Sequence, residues 1–166
     1  MTQRFYGKYR GTVAQNVDPM MLGRVQVKVP AVLGDGQLSW AEVCVPYAGD
    51  QVGFFAVPPS GTAVWVEFEG GDPERPILAG CFWTAGQVPA APALADVKII
   101  KTGSVSIELS DLPGAGGLTI EVSPPAVSAP LKFAMTSSGI ELSVGGAKIE
   151  LGPASVKIND GALEVI

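Results

Sequence analysis

Histidine is absent from this chain of 166 residues. Its absence removes the commonest general base, the commonest zinc ligand and every Ser-His or Cys-His nucleophile pair. Charged residues make up only 16% of the chain, against roughly 25% in an average soluble domain. No apolar run approaches the roughly 18 residues that a transmembrane helix needs. We therefore expect no His-based catalysis, and a surface so poor in charge predicts that part of it is buried in an assembly.

Basic residues are too few and too scattered for a nucleic-acid-binding face. The formal net charge is −5, with 11 Lys and Arg, whereas phosphate binding needs clustered Lys and Arg. The first residues, MTQRFYGKYRG, lack the apolar core of a signal peptide, so we expect assembly in the cytoplasm. Cys44 and Cys81 are isolated in the sequence, which predicts two buried thiols in that compartment.

The sequence is rich in short segments in which apolar and polar residues alternate, separated by many glycines and prolines. The composition includes 21 Gly and 14 Pro, and no segment of a dozen residues has a helical period. In the first half, alternation predicts strands at roughly residues 8–15, 25–29, 39–45, 53–57, 64–68 and 76–82. Five or six short strands in about 80 residues are typical of a small closed β-barrel. We assign this barrel to residues 1–83.

The second half is a row of short strands, each with one apolar face and no helix to cover it. Residues 84–96 are rich in Pro, Ala and Gly and indicate a linker, after which strands recur every seven to ten residues or so through 97–166. A single-chain solenoid would form only about three coils here. Three chains around one axis would instead bury the apolar faces against each other. The residues that we predict to line this axis are Ile140, Leu142, Val144, Ile149, Leu151, Val156, Ile158, Leu163 and Val165.

The segment EGGDPERP, residues 69–76, places several carboxylates close together and has two interpretations. A metal or catalytic site is one of them, but a tight turn is favoured. Two glycines can adopt positive φ, two prolines fix φ, and Asp72 can accept hydrogen bonds from nearby backbone. We expect Arg75 to pair with a carboxylate across the barrel or at a subunit boundary. The predicted barrel turn motif consists of Gly70, Gly71, Asp72, Pro73, Arg75 and Pro76.

Three segments of the first half together resemble the spike-base domain of contractile-tail machines. They are GTVAQNVDPMMLGRVQVKVP (11–30), WAEVCVPYAG (40–49) and FFAVPPSGTAVWVEFEGGDPERPILAG (54–80). That family includes phage baseplate assembly protein V and the VgrG proteins of type VI secretion. The ending VKINDGALEVI (156–166) is similar to the last strands of VgrG-type β-prisms. The resemblance implies an all-β fold, with an OB-fold barrel followed by an intertwined triple-stranded β-helix in a homotrimer.

The resemblance also implies partners and excludes some activities. Since about ten residues precede the barrel, we expect a separate hub protein at the barrel end and a PAAR-type tip protein at the C-terminal end. The linker is too short for the lysozyme domain of some phage spikes, and without histidine a His-bound iron at the tip is excluded. We therefore expect no catalytic residues, cofactor or metal. The expected function is a structural spike, at the tip of the inner tube of a phage-like or injection particle, which helps puncture the target envelope.

Two other function classes stay open at this stage. The first is an OB-fold module that binds sugar or nucleic acid, combined with a single-chain β-solenoid. Such a module needs an exposed aromatic groove with basic rims, and Trp40, Trp65 and Trp83 have few basic companions. The second is a β-helical polysaccharide-degrading enzyme, which needs an acid/base pair of carboxylates in a cleft. The acidic residues of the second half instead alternate among Lys and Ser.

Overall fold

The computed structural model describes residues 3–160 and 162–165. Its regular structure is almost entirely β, and the longest helix in these residues is the four-residue Pro30–Leu33. None of the described helices is long and apolar enough to cross a membrane. The chain divides into two compact units, Met1–Gln87 and Val88–Ile166.

The first unit is a closed five-stranded barrel with a small additional hairpin. Its strands are β1 (Tyr9–Gln15), β2 (Val25–Lys28), β3 (Ser39–Val43), β4 (Ala48–Gly49), β5 (Val52–Gly53), β6 (Ala63–Phe68) and β7 (Pro76–Cys81). The barrel order is β1-β2-β3-β7-β6, with β1 pairing back to β6, and β4 and β5 form the separate hairpin. All barrel pairs are antiparallel except β3 with β7. This closed all-β unit is consistent with an OB fold.

The alternating valines of the barrel strands form its core. Val13, Val25, Val27 and Val66 are at most 1% exposed, because alternate residues of a strand point to the same side. Gly11 allows β1 to approach its neighbours closely, since a Cβ there would lie 2.9 Å from the Lys28 carbonyl oxygen. The barrel therefore completes a core from one chain alone.

Two local predictions for this unit are wrong. Residues 53–57 do not form a barrel strand; Gly53 is the last residue of β5 in the separate hairpin, and Phe54 and Phe55 are exposed. The reason is topological, because β1 and β6 pair directly and the closed barrel has no free edge for a sixth strand. The thiols of Cys44 and Cys81 are also exposed rather than buried.

The second unit is one continuous antiparallel sheet of eight strands. They are β8 (Val97–Lys101), β9 (Val105–Ser110), β10 (Gly117–Val122), β11 (Leu131–Thr136), β12 (Gly139–Val144), β13 (Ala147–Leu151), β14 (Val156–Ile158) and β15 (Leu163–Val165). Each strand pairs with its neighbours in sequence, from β8 to β15. The glycine-rich segment after β9 forms the hairpin turn that joins β9 to β10. At Gly139, with φ 129°, a Cβ would collide with the Leu151 carbonyl oxygen.

Candidate subunit interface

The register of the C-terminal sheet aligns apolar residues across neighbouring strands. Leu142 in β12 lies directly opposite Phe133 in β11 and Ile149 in β13. Ile149 in turn lies opposite Ile158 in β14. Residues directly opposite in an antiparallel pair have their side chains on the same face. A row of large apolar side chains therefore runs across the strands on one face, which we call the apolar face.

All nine residues predicted to line the axis share this face. They are Ile140, Leu142, Val144, Ile149, Leu151, Val156, Ile158, Leu163 and Val165. The structure brings them together in one sheet because each hairpin keeps the alternation in phase. Their role in lining an axis shared by three chains stays a prediction.

The apolar face also includes residues of earlier strands that were not among the named axis residues. The residues in register with it on earlier strands are Ile100, Val105, Ile107, Leu109, Leu118, Ile120, Val122, Leu131, Phe133 and Met135. Their period-two alternation was available in the sequence, but the phase between strands depends on the turn lengths. Lys98, opposite Leu109, is the charged strand residue in register with this face among the described residues.

The opposite face of the sheet is polar and internally paired. Lys132 Nζ lies 3.3 Å from Glu141 Oε1, and Lys148 Nζ lies 3.3 Å from Glu150 Oε1. Lys148 also contacts Asp160, and hydrogen bonds from its ammonium to these two carboxylates raise its pKa. This face therefore suits solvent, as the alternation of Glu and Lys predicted.

The apolar face stays largely uncovered by its own chain. Leu142 is 48% exposed and Val144 is 58% exposed, although both lie in the interior of the sheet. An open groove of about 610 Å³ lies on this face, lined by residues such as Ile120, Phe133 and Ile149. Fully burying one such side chain is worth about 1.5–3 kcal/mol. A face of this size, repeated over eight strands, provides a strong driving force for association.

The predicted turn motif forms a tight turn between β6 and β7. Gly70 and Gly71 adopt φ 58° and 75°, and Asp72 Oδ1 accepts a hydrogen bond from the Glu74 amide at 3.1 Å. Arg75 pairs with Glu69 at 2.7 Å, so within this chain its partner lies in the same turn rather than across the barrel. A further partner at a subunit boundary stays a prediction. The turn is short, so Glu69 at its start and Arg75 at its end are in direct contact.

The turn between β6 and β7 also fastens the N-terminal segment to the barrel. The Phe5 amide donates to the Gly71 carbonyl oxygen at 2.9 Å, and Arg4 lies 3.7 Å from Asp72. Phe5 then packs on Phe68, with ring centroids 6.3 Å apart. Pro73 and Pro76 complete the turn and the start of β7. The motif therefore has a structural role in this unit.

The aromatic residues of the barrel form separate stacks. Trp65 packs on Phe82, with ring centroids 4.7 Å apart, and the Arg10 guanidinium lies 4.7 Å from each ring centroid. Trp40 lies elsewhere, against Arg24 at 5.5 Å. Within the described part of the chain, no three His, Cys, Asp or Glu side chains are grouped so that they could hold a metal ion.

Both units match known protein-family models. Residues 9–83 match the type VI secretion system/phage-baseplate injector OB domain. Residues 97–164 match the phage baseplate V C-terminal trimerisation domain. The first match covers all the strands of the barrel, and the second extends from β8 into β15.

Two curated relatives share part of this sequence. The actin cross-linking toxin VgrG1 of Vibrio cholerae is 41% identical over 71 residues, which are 40% of this chain and 6% of the relative. The type VI secretion system spike protein VgrG4b of Pseudomonas aeruginosa is 35% identical over 85 residues, which are 51% of this chain and 10% of the relative. The matched segments are thus a tenth or less of these relatives.

The two family matches lie side by side along the chain, in the order barrel then trimerisation domain, and together they cover most of it. The closed five-stranded barrel and the uncovered apolar face are the structural features that such a pair of domains requires. The chain therefore belongs to the family of phage baseplate V and VgrG-type spike proteins, which are structural components of assembled phage or secretion particles.

Proposed function

We propose that this chain is the central spike of a contractile injection system or phage-like baseplate. The observation that carries the proposal is the apolar face, which is continuous over β8–β15 and uncovered by its own chain. In a homotrimer, three such faces meet along one axis, and the polar faces with their Lys-Glu pairs point outward. The predicted axis residues, from Ile140 to Val165, then form a dry centre.

The trimer acts at the tip of the inner tube and helps puncture the target envelope. When a surrounding sheath contracts, the tube advances with the spike at its front. Strands paired edge to edge along the whole sheet resist bending, because bending breaks many backbone hydrogen bonds at once. Membership of the spike family supports this role, and it requires no chemistry at the tip.

The partners follow from the same family membership. A separate hub protein binds the barrel end of the trimer, and a PAAR-type tip protein caps the C-terminal end. In this arrangement residues 1–83 form the spike base, 84–96 the linker and 97–166 the prism. The particle assembles in the cytoplasm and acts as part of a virion or an injection machine.

The chain itself has no enzymatic activity in this proposal. One relative is named as an actin cross-linking toxin, but the shared segment is only 6% of that protein. On the polar face, Glu141 and Glu150 each form an ion pair with a lysine, Lys132 and Lys148 respectively. The spike therefore acts through its shape and stiffness.

The first test is the mass of the full chain in solution by light scattering, before and after brief heating in detergent. We expect a mass near three times 17.1 kDa that survives the detergent, because three interlocked apolar faces separate slowly. A well-behaved monomer contradicts the proposal and favours a single-chain sheet with another partner.

A further inference from the structure

The loop between β1 and β2 is a rigid structure built around one buried carboxylate. The Asp18 side chain is only 3% exposed. It accepts hydrogen bonds from the amides of Met20 and Leu22 at 3.0 Å and is paired with Arg24 through two side-chain bonds. The Arg24 guanidinium and these amides hold the pKa of Asp18 well below its ordinary value of 3.8. A loop fixed at so many points is not a flexible connection.

This loop holds two methionines out into solvent. Met20 is 63% exposed and Met21 is 92% exposed, and Met21 adopts a positive φ of 55° at the tip. A non-glycine residue in this conformation is uncommon and persists only where the surrounding structure enforces it. We call Met20 and Met21 the barrel knob.

An apolar groove lies beside the barrel knob on the same barrel. It has a volume of about 450 Å³ and is lined chiefly by Val43, Val45, Tyr47, Val52, Phe54 and Phe55. The β4–β5 hairpin forms one side, closed by a hydrogen bond from the Phe54 amide to the Tyr47 carbonyl oxygen at 2.9 Å. Phe55 is 82% exposed, and its ring edge lies 3.0 Å from the position that a Cβ on Gly23 would take. We call this feature the barrel groove.

The barrel knob and the barrel groove have the composition of an interface core. Large aromatic residues and methionines are enriched in such cores, and charged residues are depleted. Between Val43 and Val57, the charged residue is Asp50 at the tip of the hairpin. Adjacent apolar side chains exposed to this extent are unusual on a free surface.

Covalent continuity with the trimerisation domain indicates what covers this surface. Residues 82–96 connect the last barrel strand to β8 and span at most about 50 Å when fully extended. Three barrels attached to one trimer are therefore held close together, at effective concentrations that reach the millimolar range for short linkers. At such concentrations, even a weak apolar contact between two barrels is formed most of the time.

We propose that the barrel knob of one copy inserts into the barrel groove of the next copy, so that three contacts close a ring of barrels. A contact between two different surfaces is head-to-tail. Such contacts form a closed ring of three copies when each copy is rotated by one third of a turn relative to the previous one. Because the knob and the groove adjoin, closure places both near the threefold axis. The unbranched, flexible side chain of methionine is suited to filling an irregular groove. This inference rests on the homotrimer of the proposed function.

Disulfide trapping tests the contact directly. The exposed Cys44 and Cys81 are first replaced by serine. One copy then carries Met21→Cys, and a co-expressed copy with a distinguishing tag carries Val52→Cys, so that a mixed disulfide can form only between copies. We expect a reducible mixed dimer after mild oxidation. A matched pair in which Asp35→Cys replaces Val52→Cys, outside the groove, is expected to give little of it.

An apolar fluorescent dye provides a second, independent measurement. We expect the wild-type trimer to bind little dye, whereas Met21→Glu exposes the groove and increases the fluorescence several-fold without changing the trimer mass. Ser60→Glu, which adds the same charge at another exposed loop, is expected to change nothing.

The outcomes separate the two proposals. A trimer of the correct mass that forms no mixed dimer, and whose wild type already binds dye strongly, overturns the inference and assigns this surface to another protein. A monomer in light scattering instead contradicts the homotrimer itself.

Discussion

In the barrel, Val25, Val27 and Val66 are fully buried by their own chain, whereas in the C-terminal sheet Leu142 and Val144 stay about half exposed. Both units are built from the same alternating strands with similar residues. They differ in closure, because the barrel pairs β1 with β6 around a common interior, while the sheet is open and presents one face outward. Alternation thus specifies strands in both units, but the partner of the apolar side differs.

The two units are therefore expected to differ in how much they depend on other copies of the chain. The barrel has its full core within one chain, so its folding is expected not to require other copies. In the proposed trimer, the apolar face of the sheet is buried by other copies, so the stability of the sheet is expected to increase with protein concentration. Substitutions that affect one unit and spare the other are the sharpest test of this difference.

The largest effect is expected from Ile149→Asp. This change places an unpaired charge in the centre of the apolar face, and three copies bring three like charges together where no counter-charge is available. We expect light scattering to show no trimer, that is, no species with a mass near three times 17.1 kDa.

The matched control for this variant is Ser143→Asp on the polar face. It adds the same charge directly opposite Lys132 and Lys148, so the trimer is expected to form normally. If Ile149→Asp also forms a normal trimer, then Ile149 does not line the axis.

A moderate effect, confined to the barrel, is expected from Leu78→Ala. Leu78 is only 3% exposed, and removing such a side chain costs about 2–5 kcal/mol of unfolding free energy. All three tryptophans lie in the first unit, so tryptophan fluorescence during urea unfolding reports on the barrel alone. Leu38→Ala, at a site 42% exposed, is expected to have a much smaller effect. A loss of the trimer in Leu78→Ala would show that the two units are not independent.

The smallest effect, and one that depends on pH, is expected from Asp18→Asn. The pKa of Asp18 is lowered in the folded chain from an ordinary value of 3.8, so its ionised form stabilises the barrel above that value. This contribution is lost as the pH falls through the lower folded pKa. We expect the variant to unfold at lower urea than wild type at pH 7, with the difference decreasing below about pH 4. A difference that is constant from pH 7 to pH 3 contradicts the role of the Asp18 charge.

Much of the fold follows from local patterns in the sequence. The alternation at Val25 and Val27, and that at Val64 and Val66, located two barrel strands correctly, because strand periodicity is a property of a few adjacent residues. The glycines of the β6–β7 turn were identified for the same reason, since their positive φ is needed locally.

Other features depend on contacts between distant segments and could not be read from the sequence. The segment 53–57 alternates like a strand, but the direct pairing of β1 with β6 leaves it without a partner. The Asp18–Arg24 pair and its exposed methionines were missed, because a charged pair in a loop resembles any solvated surface. The named axis residues begin in β12, because assigning residues of the earlier strands to the same face requires the register across the β9–β10 and β10–β11 hairpins.

The pairing of each C-terminal strand with its sequence neighbours also makes the sheet modular. Strands in a sheet are spaced 4.7–4.9 Å apart, so inserting or deleting one hairpin changes its extent by about 10 Å. Such a change preserves the two faces, since both new strands keep the alternation in phase, and it leaves the barrel untouched. The reach of the trimerisation domain can therefore evolve, or be engineered, in steps of two strands.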